Sequence, residues 1–360
     1  MPGIISEPQA FAQLCGQLQE QRELGLDTEF MRERTYFAQL CLLQLCWPGQ
    51  AVCIDTLALT DLSGLRPVMR SGATRKIVHA ARQDLEVLWP LSGGLDGVFD
   101  TQIAAALAGL PAQIGYADLT QTILGRSLHK SQTRTDWSRR PLTAAQIEYA
   151  LDDVRYLPEL AARLQQRLVE LGRWSWFEEE MAQLNGDRSF QVVPEEAWRR
   201  LKGIGDLDEA RRSLAQALAA WREHRAITAD RPRNWILPDQ VLRDIVSSVP
   251  RTAEQLACIP ELPEGIRRRS GEEILALIDS LALPLRLPAP GARRRPDPAE
   301  TETVRRLAEL TRETGRELGI APEVLATRRD MERLVAGVRD AGPLAGWRRA
   351  VIGERLLQAL

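Results

Sequence analysis

Asp27 and Glu29 stand two residues apart in Leu24-Gly25-Leu26-Asp27-Thr28-Glu29-Phe30-Met31, a stretch whose apolar content marks it as a covered strand. Alternation along a strand points the two carboxylates to one face and Leu26, Thr28 and Phe30 to the other. Like charges side by side on such a surface are costly unless a cation sits between them. Further acids and a phenol occur where the pair needs company. Asp84 opens the helix that follows the buried strand Ile77-Val78-His79, and Tyr149 and Asp153 share one face of a long helix at i and i+4. That helix packs through Ile147, Ala150, Leu151, Val154 and Leu157, so Asp153 borders an apolar stripe, an expensive place for an unpaired carboxylate. Asp152 points about a third of a turn away and serves as an internal control.

Four carboxylates from separate elements are the oxygen donors that two hard divalent ions about 4 Å apart require, Mg²⁺ or Mn²⁺ being the expected metals. One ion would lower the pKa of a bound water aimed at a phosphodiester, and the other would stabilise the leaving 3′ oxygen. Tyr149 would orient or deprotonate that water; a phenol with a pKa of about 10 leaves most of the activation to the metal. Each residue also has a plainer role open to it: a helix N-cap for Asp84, a core tyrosine for Tyr149, a surface acid for Asp153.

The elements that must position these groups follow from the pattern. Phe11, Leu14, Cys15 and Leu18 give Pro8 to Gln21 a helical period ahead of the strand bearing Asp27. Gln39 to Trp47 and Ala51 to Leu57 read as strands joined by Pro48-Gly49-Gln50, so three consecutive strands predict an antiparallel meander. Short strands at Arg75 to His79 and Val98-Phe99 then alternate with helices, and Asp100 either supports the acids from behind or caps the following helix. A polar loop from His129 to Trp137 precedes a helix capped by Thr143 with Gln146 in a capping box, bent or broken near Pro158 and continuing to about Leu171. The fold class expected is α/β, a mixed sheet with helices on both faces, followed by all-α modules.

The sheet domain is expected over 1–171. Beyond Gly172 the chain turns helical: a connecting region, 172–207, whose Trp174, Trp176, Phe177 and Trp198 should pack on the first domain; a small bundle, 208–283; a stiff linker, 284–298, with Arg293-Arg294-Arg295 among its prolines; and a second, divergent bundle, 299–360. With 360 residues, 44% hydrophobic and 27% charged, the chain is globular in composition, and no run approaches the roughly 18 apolar residues of a membrane span. Met1 to Glu20 lacks the basic and apolar regions of a signal peptide, and the five cysteines form no C-x-x-C pair. A reduced, cytoplasmic, monomeric protein without disulfides or zinc is expected. Its 47 basic and 49 acidic side chains leave a net charge of −2, so a polyanion must be held by local patches or metal ions.

In chain order, Asp27-Thr-Glu29, His79-Ala-x-x-x-Asp84 and Tyr149-x-x-x-Asp153 resemble the three motifs of the DEDD superfamily of 3′–5′ exonucleases. The tyrosine, with no histidine between His129 and His224, resembles its tyrosine branch. Asp27-Thr-Glu-Phe-Met-Arg-Glu-Arg-Thr-Tyr36, Phe99-Asp-Thr-Gln102, Lys130-Ser-x-x-Arg-Thr-Asp-Trp137 with Arg140-Pro-Leu, and Tyr149-Ala-x-x-Asp-Val154 are similar to the ribonuclease D family. The resemblance implies a ribonuclease H-like sheet in which the strand of Asp27 lies beside the strand ending at His79, so that Asp84 meets the first acids where the strand order switches. Arg231-Pro-Arg-Asn-Trp-Ile-Leu-Pro-Asp-Gln240 and the segments after it are similar to the helicase-and-RNase-D C-terminal (HRDC) domain, with a divergent second copy over 299–360. The activity implied is release of 5′-monophosphate nucleotides from the free 3′ ends of tRNA precursors and other structured small RNAs. A DNA exonuclease and an RNA-binding scaffold with a retired site are the competing functions. Lys130 and Arg134 are candidates for phosphate contacts, and Trp137 for stacking on a terminal base or anchoring its loop. Thr28 and Phe30 are further candidates for substrate contact, and His79 either approaches the 3′ end or belongs to the core.

Overall fold

The computed structural model describes residues 3–128, 135–186, 193–204, 207–281 and 297–360. They fall into two compact units, one formed by Met1–Met31, Leu40–Phe190 and Pro296–Leu360, the other by Arg32–Gln39 and Gln191–Arg295. Lys130, Arg134 and most of the expected 284–298 linker lie outside the described residues.

In the first unit, strands β1 (Ile4–Ile5), β2 (Glu23–Met31), β3 (Gln39–Trp47), β4 (Gln50–Ile54), β5 (Arg75–Val78) and β6 (Val98–Asp100) form one sheet in the order β1-β4-β3-β2-β5-β6. The β3–β4 hairpin is antiparallel, whereas β2, β5 and β6 run parallel, with Gly25 opposite Ile77 and Val78 opposite Asp100. The strand bearing Asp27 thus adjoins the strand ending before His79, as expected. Strand β1, parallel to β4, was not foreseen, because two residues are too few to show a period.

Helices α1 (Pro8–Gln19), α2 (Arg66–Met69) and α3 (Arg82–Ser92) cover one face of the sheet; α4 (Thr101–Leu107), α5 (Tyr116–Leu124), α6 (Ala144–Arg155), α7 (Leu157–Glu170) and α8 (Trp174–Gly186) follow. Leu24 and Leu26 of β2 pack with Phe11, Leu18, Leu85 and Leu88, while Ile77 and Phe99 join Leu160, Leu164 and Phe177 in a second core. Strand alternation therefore sends Gly25, Asp27 and Glu29 toward α6 and α7, and Leu24, Leu26 and Thr28 toward α3. The capping box at Thr143 and Gln146 starts α6, and the break falls at Tyr156, just before Pro158. There the Tyr116 hydroxyl donates to the Asp152 carbonyl and accepts from the Tyr156 amide, both at 3.1 Å, serving backbone groups that the break would orphan. Phe177 packs on Phe99 with ring centroids 4.6 Å apart.

The second unit contains α9 (Glu209–Ala229), α10 (Arg233–Ile236), α11 (Asp239–Ser248), α12 (Ala253–Ala257) and α13 (Glu264–Ser280). Trp198 packs with this core, beside Leu214 and Leu218. Its expected contact with the sheet domain is thereby corrected: the 3₁₀ turn Pro194–Arg200 that carries it belongs to the helical module. Gly271 sits inside helix α13, where a Cβ would stand 3.4 Å from Leu256, an ordinary van der Waals contact.

Helices α14 (Pro298–Leu318), α15 (Pro322–Leu325) and α16 (Arg328–Val335) repeat the lengths of α9 to α11, 21, 4 and 8 residues against 21, 4 and 10. Both long helices end on a left-handed residue, Asp230 (φ 45°) and Gly319 (φ 62°). The C-terminal helices pack within the first unit. Trp347 stacks on Trp176 at 4.4 Å and donates its indole N–H to Glu180, 2.7 Å away.

Candidate active site

Asp27, Glu29 and Asp153 each offer a carboxylate oxygen within 4.8 Å of the others. Three local features of the sequence bring them there. The period of two along β2 puts Asp27 and Glu29 on one face; Gly25 lets α6 and α7 settle against that face; and helical spacing aims Asp153 at it. A Cβ on Gly25 would stand 2.4 Å from the Cys46 sulfur and 3.2 Å from both the Val154 carbonyl oxygen and Leu157 Cβ. Only glycine admits that approach. The Cys46 thiol donates to the same Val154 carbonyl at 2.9 Å, tying the end of α6 next to Asp153.

Asp84 is not one of those three mutually close donors; it stands on the other side of the strand, near enough for its charge to act on Asp27 and Glu29. It lies in the first turn of α3, buried, and accepts a 2.5 Å hydrogen bond from the Thr28 hydroxyl. Asp100 sets the start of that helix: its carboxylate accepts from the amides of Ala80 (3.1 Å) and Ala81 (2.8 Å) and also caps α4 through Gln102 and Ile103. Ala80 is thereby held at φ 57°, a left-handed conformation that alanine seldom adopts. Of the two alternatives for Asp100, the structure shows the helix cap on α4; its carboxylate also holds the amides that lead into α3.

Burial pushes the Asp27 carboxyl well above the usual carboxylate range, and the charges of Asp84, Asp153 and Glu29 push it further. Glu29 rises to about 8 by burial and the neighbouring Asp153 and Asp84. Asp84 and Asp153 rise to about 7, mainly by burial, each held back by one hydroxyl, of Thr28 and Tyr149 respectively. The Tyr149 phenol, hydrogen-bonded to Asp153, is itself raised by burial and the surrounding acids, so it keeps its proton. A cage of oxygen donors that repel one another fits a hard divalent cation, whose charge would remove the repulsion.

Asp152, the control, is turned away: its carboxylate pairs with Arg155. Trp137 is 4% exposed and stacks on Tyr149 with ring centroids 6.3 Å apart, so its ring faces the core and offers no open surface to a base. His79 has both ring nitrogens engaged, Nδ1 with the Thr101 hydroxyl at 2.9 Å and Nε2 with the Ile114 carbonyl at 3.0 Å. Burial first of all lowers its pKa, which keeps the ring neutral. Thr28 spends its hydroxyl on Asp84, and Phe30 is half-buried near the end of β2.

One positioning pair escaped the sequence. Arg140 grips Asp55 through two bonds, 2.6 and 2.8 Å, and reaches the carbonyls of Trp137 and Cys41, both at 2.7 Å. Burial alone would raise the Asp55 carboxyl, but the Arg140 fork brings it below its usual value. The pair fastens the loop carrying Trp137 to the sheet and so fixes the platform under Tyr149. Nothing short of the fold brings together residues so far apart in the chain.

A mixed sheet with paired acids on a central strand, a third acid on the helix after the neighbouring strand, and a tyrosine and fourth acid on a packed helix define a DEDD-type 3′–5′ exonuclease. A family model described as 3′–5′ exonuclease matches residues 2–169, and one described as HRDC domain matches residues 211–278. Ribonuclease D of Nitrobacter hamburgensis is 36% identical over 363 residues, covering 98% of this chain and 94% of that one. Ribonuclease D of Granulibacter bethesdensis is 37% identical over 366 residues, covering 99% and 92%. The crystal structure of Escherichia coli RNase D, an exoribonuclease involved in structured RNA processing, superposes with a TM-score of 0.89 at 31% identity over 100% of this chain and 98% of that one. The chain belongs to the ribonuclease D family. It is a hydrolytic 3′–5′ exoribonuclease with RNA as its substrate and a divalent-metal site. Among the described residues no helix is long and apolar enough to cross a membrane.

Proposed function

We propose that the chain trims the 3′ ends of tRNA precursors and other small structured RNAs, releasing 5′-monophosphate nucleotides, as a cytoplasmic monomer. The observation that carries this reading is the set of three carboxylates with donor oxygens within 4.8 Å, joined by Asp84 through Thr28. Asp27, Glu29, Asp84 and Asp153 would hold two divalent ions, Mg²⁺ or Mn²⁺, and Tyr149 would orient the attacking water with its retained proton. When bound, the metals supply a more acidic water and stabilisation of the leaving 3′ oxygen. Asp27 and Glu29 hold the site on the α6 side of the strand, Asp84 completes it from the α3 side, and Trp137 keeps the Tyr149 ring from swinging out.

Phe30 is the remaining candidate for contact with a terminal base, since Thr28, His79 and Trp137 are engaged elsewhere. Lys130 and Arg134 retain the phosphate role that their place before Trp137 supports. Residues 299–360 are read as a divergent second HRDC copy, on the repeated helix lengths. The test is digestion of a tRNA precursor carrying a 3′ trailer, the same RNA with a blocked 3′ end, and a matched DNA. Stepwise loss of the trailer from the unblocked RNA, stopping near the mature end, is expected. Equal digestion of DNA, or no effect of the block, would contradict the proposal.

A further inference from the structure

An unbroken helix would join the Asp152 carbonyl directly to the Tyr156 amide, four residues on. The Tyr116 hydroxyl of α5 stands between the two instead, donating to the carbonyl and accepting from the amide, both at 3.1 Å. An oxygen inserted into the ladder in this way bends a helix. The Val154 carbonyl, which the ring of Pro158 would crowd if the helix ran on, accepts from the Cys46 thiol at 2.9 Å. The carbonyls of both neighbours of Asp153 are thus held from outside α6, one by α5 and one by β3.

Asp153 needs such holding. Its carboxylate stands with those of Asp27 and Glu29, and the repulsion among the three acts to push the end of α6 off the sheet. Burial first, then the charges of Asp153 and Asp27, push the Tyr116 phenol above its ordinary value, so the hydroxyl lies within the field of the acids and keeps its proton for the Asp152 carbonyl. The ring of Tyr116 is fixed in turn. His79 meets it edge-on with centroids 5.7 Å apart, and His79 Nε2 and the Gln102 side-chain amide both reach the Ile114 carbonyl, two residues before it, at 3.0 Å. The histidine of His79-Ala-x-x-x-Asp84, engaged away from the acids, thereby reaches Asp153 through Tyr116.

We propose that Tyr116 is a positioning residue for the metal site. Its hydroxyl, wedged between α6 and α7, sets the bend that keeps the Asp153 carboxylate beside those of Asp27 and Glu29, and His79 holds the wedge; the role rests on Asp153 being a metal ligand.

The test is Mn²⁺ binding to the full-length protein by titration calorimetry. Tyr116→Phe keeps the ring and removes the hydroxyl. It is expected to weaken Mn²⁺ about tenfold, in the range for groups that orient metal ligands, while unfolding cooperatively in EDTA as wild type does. Asp153→Asn should weaken Mn²⁺ by itself, and adding Tyr116→Phe to it should cost less than about twofold more, because two residues that act through one carboxylate do not add. Adding Tyr116→Phe to Asp84→Asn, on the other side of the strand, should cost the full tenfold or so. With limiting Mn²⁺, Tyr116→Phe should lower kcat without changing KM for RNA, and kcat should recover as Mn²⁺ is raised. Equal Mn²⁺ affinity of Tyr116→Phe and wild type, or an undiminished loss in the Asp153→Asn background, would overturn the proposal. A Tyr116→Phe that does not fold would also overturn it, making the hydroxyl a part of the fold alone. Asp153→Asn binding Mn²⁺ as tightly as wild type would instead contradict the ligand role of Asp153, a separate failure.

Discussion

The hydroxyl of Thr28, between the two acids of β2, donates to the carboxylate of Asp84 at 2.5 Å. The bond crosses from the strand to a helix on the opposite side of the sheet from Asp153, and it orients a buried acid whose alternative is an unpaired charge. Thr28→Val keeps the shape and removes the donor. It should reduce Mn²⁺ affinity about tenfold, in the range for groups that orient metal ligands, when measured by titration calorimetry. Unchanged affinity would mean that α3 alone positions Asp84.

Gly25→Ala places a methyl group against the Val154 carbonyl and the Cys46 sulfur. The sulfur can be removed, the carbonyl cannot. The substitution should cost about 1–3 kcal/mol in urea unfolding, the usual penalty for overpacking, and Gly25→Ala with Cys46→Ala should recover only part of it. Because α6 carries Asp153, activity should fall in both.

Stability without metal should depend on pH in a direction set by the raised carboxyls. Glu29, near 8, and Asp84 and Asp153, near 7, hold protons in the native state that the unfolded chain releases near its ordinary values of 4.5 and 3.8. Between these limits the folded state binds more protons, so stability is fullest below about pH 4 as far as these groups are concerned. It is lost as pH rises through about 8. Thermal midpoints in EDTA should therefore decline from pH 6 to pH 8.5, and Mn²⁺ should abolish the decline. Asp27→Asn should raise the metal-free midpoint at pH 8, by roughly 1 kcal/mol of stability, while removing activity.

Arg140→Ala leaves the carboxylate of Asp55, 5% exposed, without its fork. A loss of about 3 kcal/mol is expected from stranding that charge, read by denaturant unfolding. Tyr149 should lose its platform as Trp137 loosens, visible as a fall in kcat beyond any change in KM.

Much of this arrangement was legible before the fold. The period of two in β2 and the i, i+4 spacing of Tyr149 and Asp153 are local, and local geometry follows from sequence. The turn of Asp152 away from the acids followed in the same way. Asp84 was legible in place but not in manner, since its arrival through Thr28 depends on α3 crossing behind the strand. The Asp55–Arg140 fork, the engagement of His79 with Thr101 and Ile114, and the packing of Trp347 on Trp176 join distant segments and carry no periodic signal. Trp198 packs on the core of the helical module and not on the sheet domain, because an aromatic residue announces that it is buried, not against what.

The central claim is that Asp153, and not its neighbour, completes the acid cage. Single-turnover hydrolysis of an RNA with a free 3′ hydroxyl in Mg²⁺ compares Asp153→Asn with Asp152→Asn. Asp153→Asn should lose more than the roughly hundredfold that is the upper range for groups behind the ligands, and Asp152→Asn should stay within a few-fold of wild type. Comparable losses in both, or a greater loss in Asp152→Asn, would contradict it.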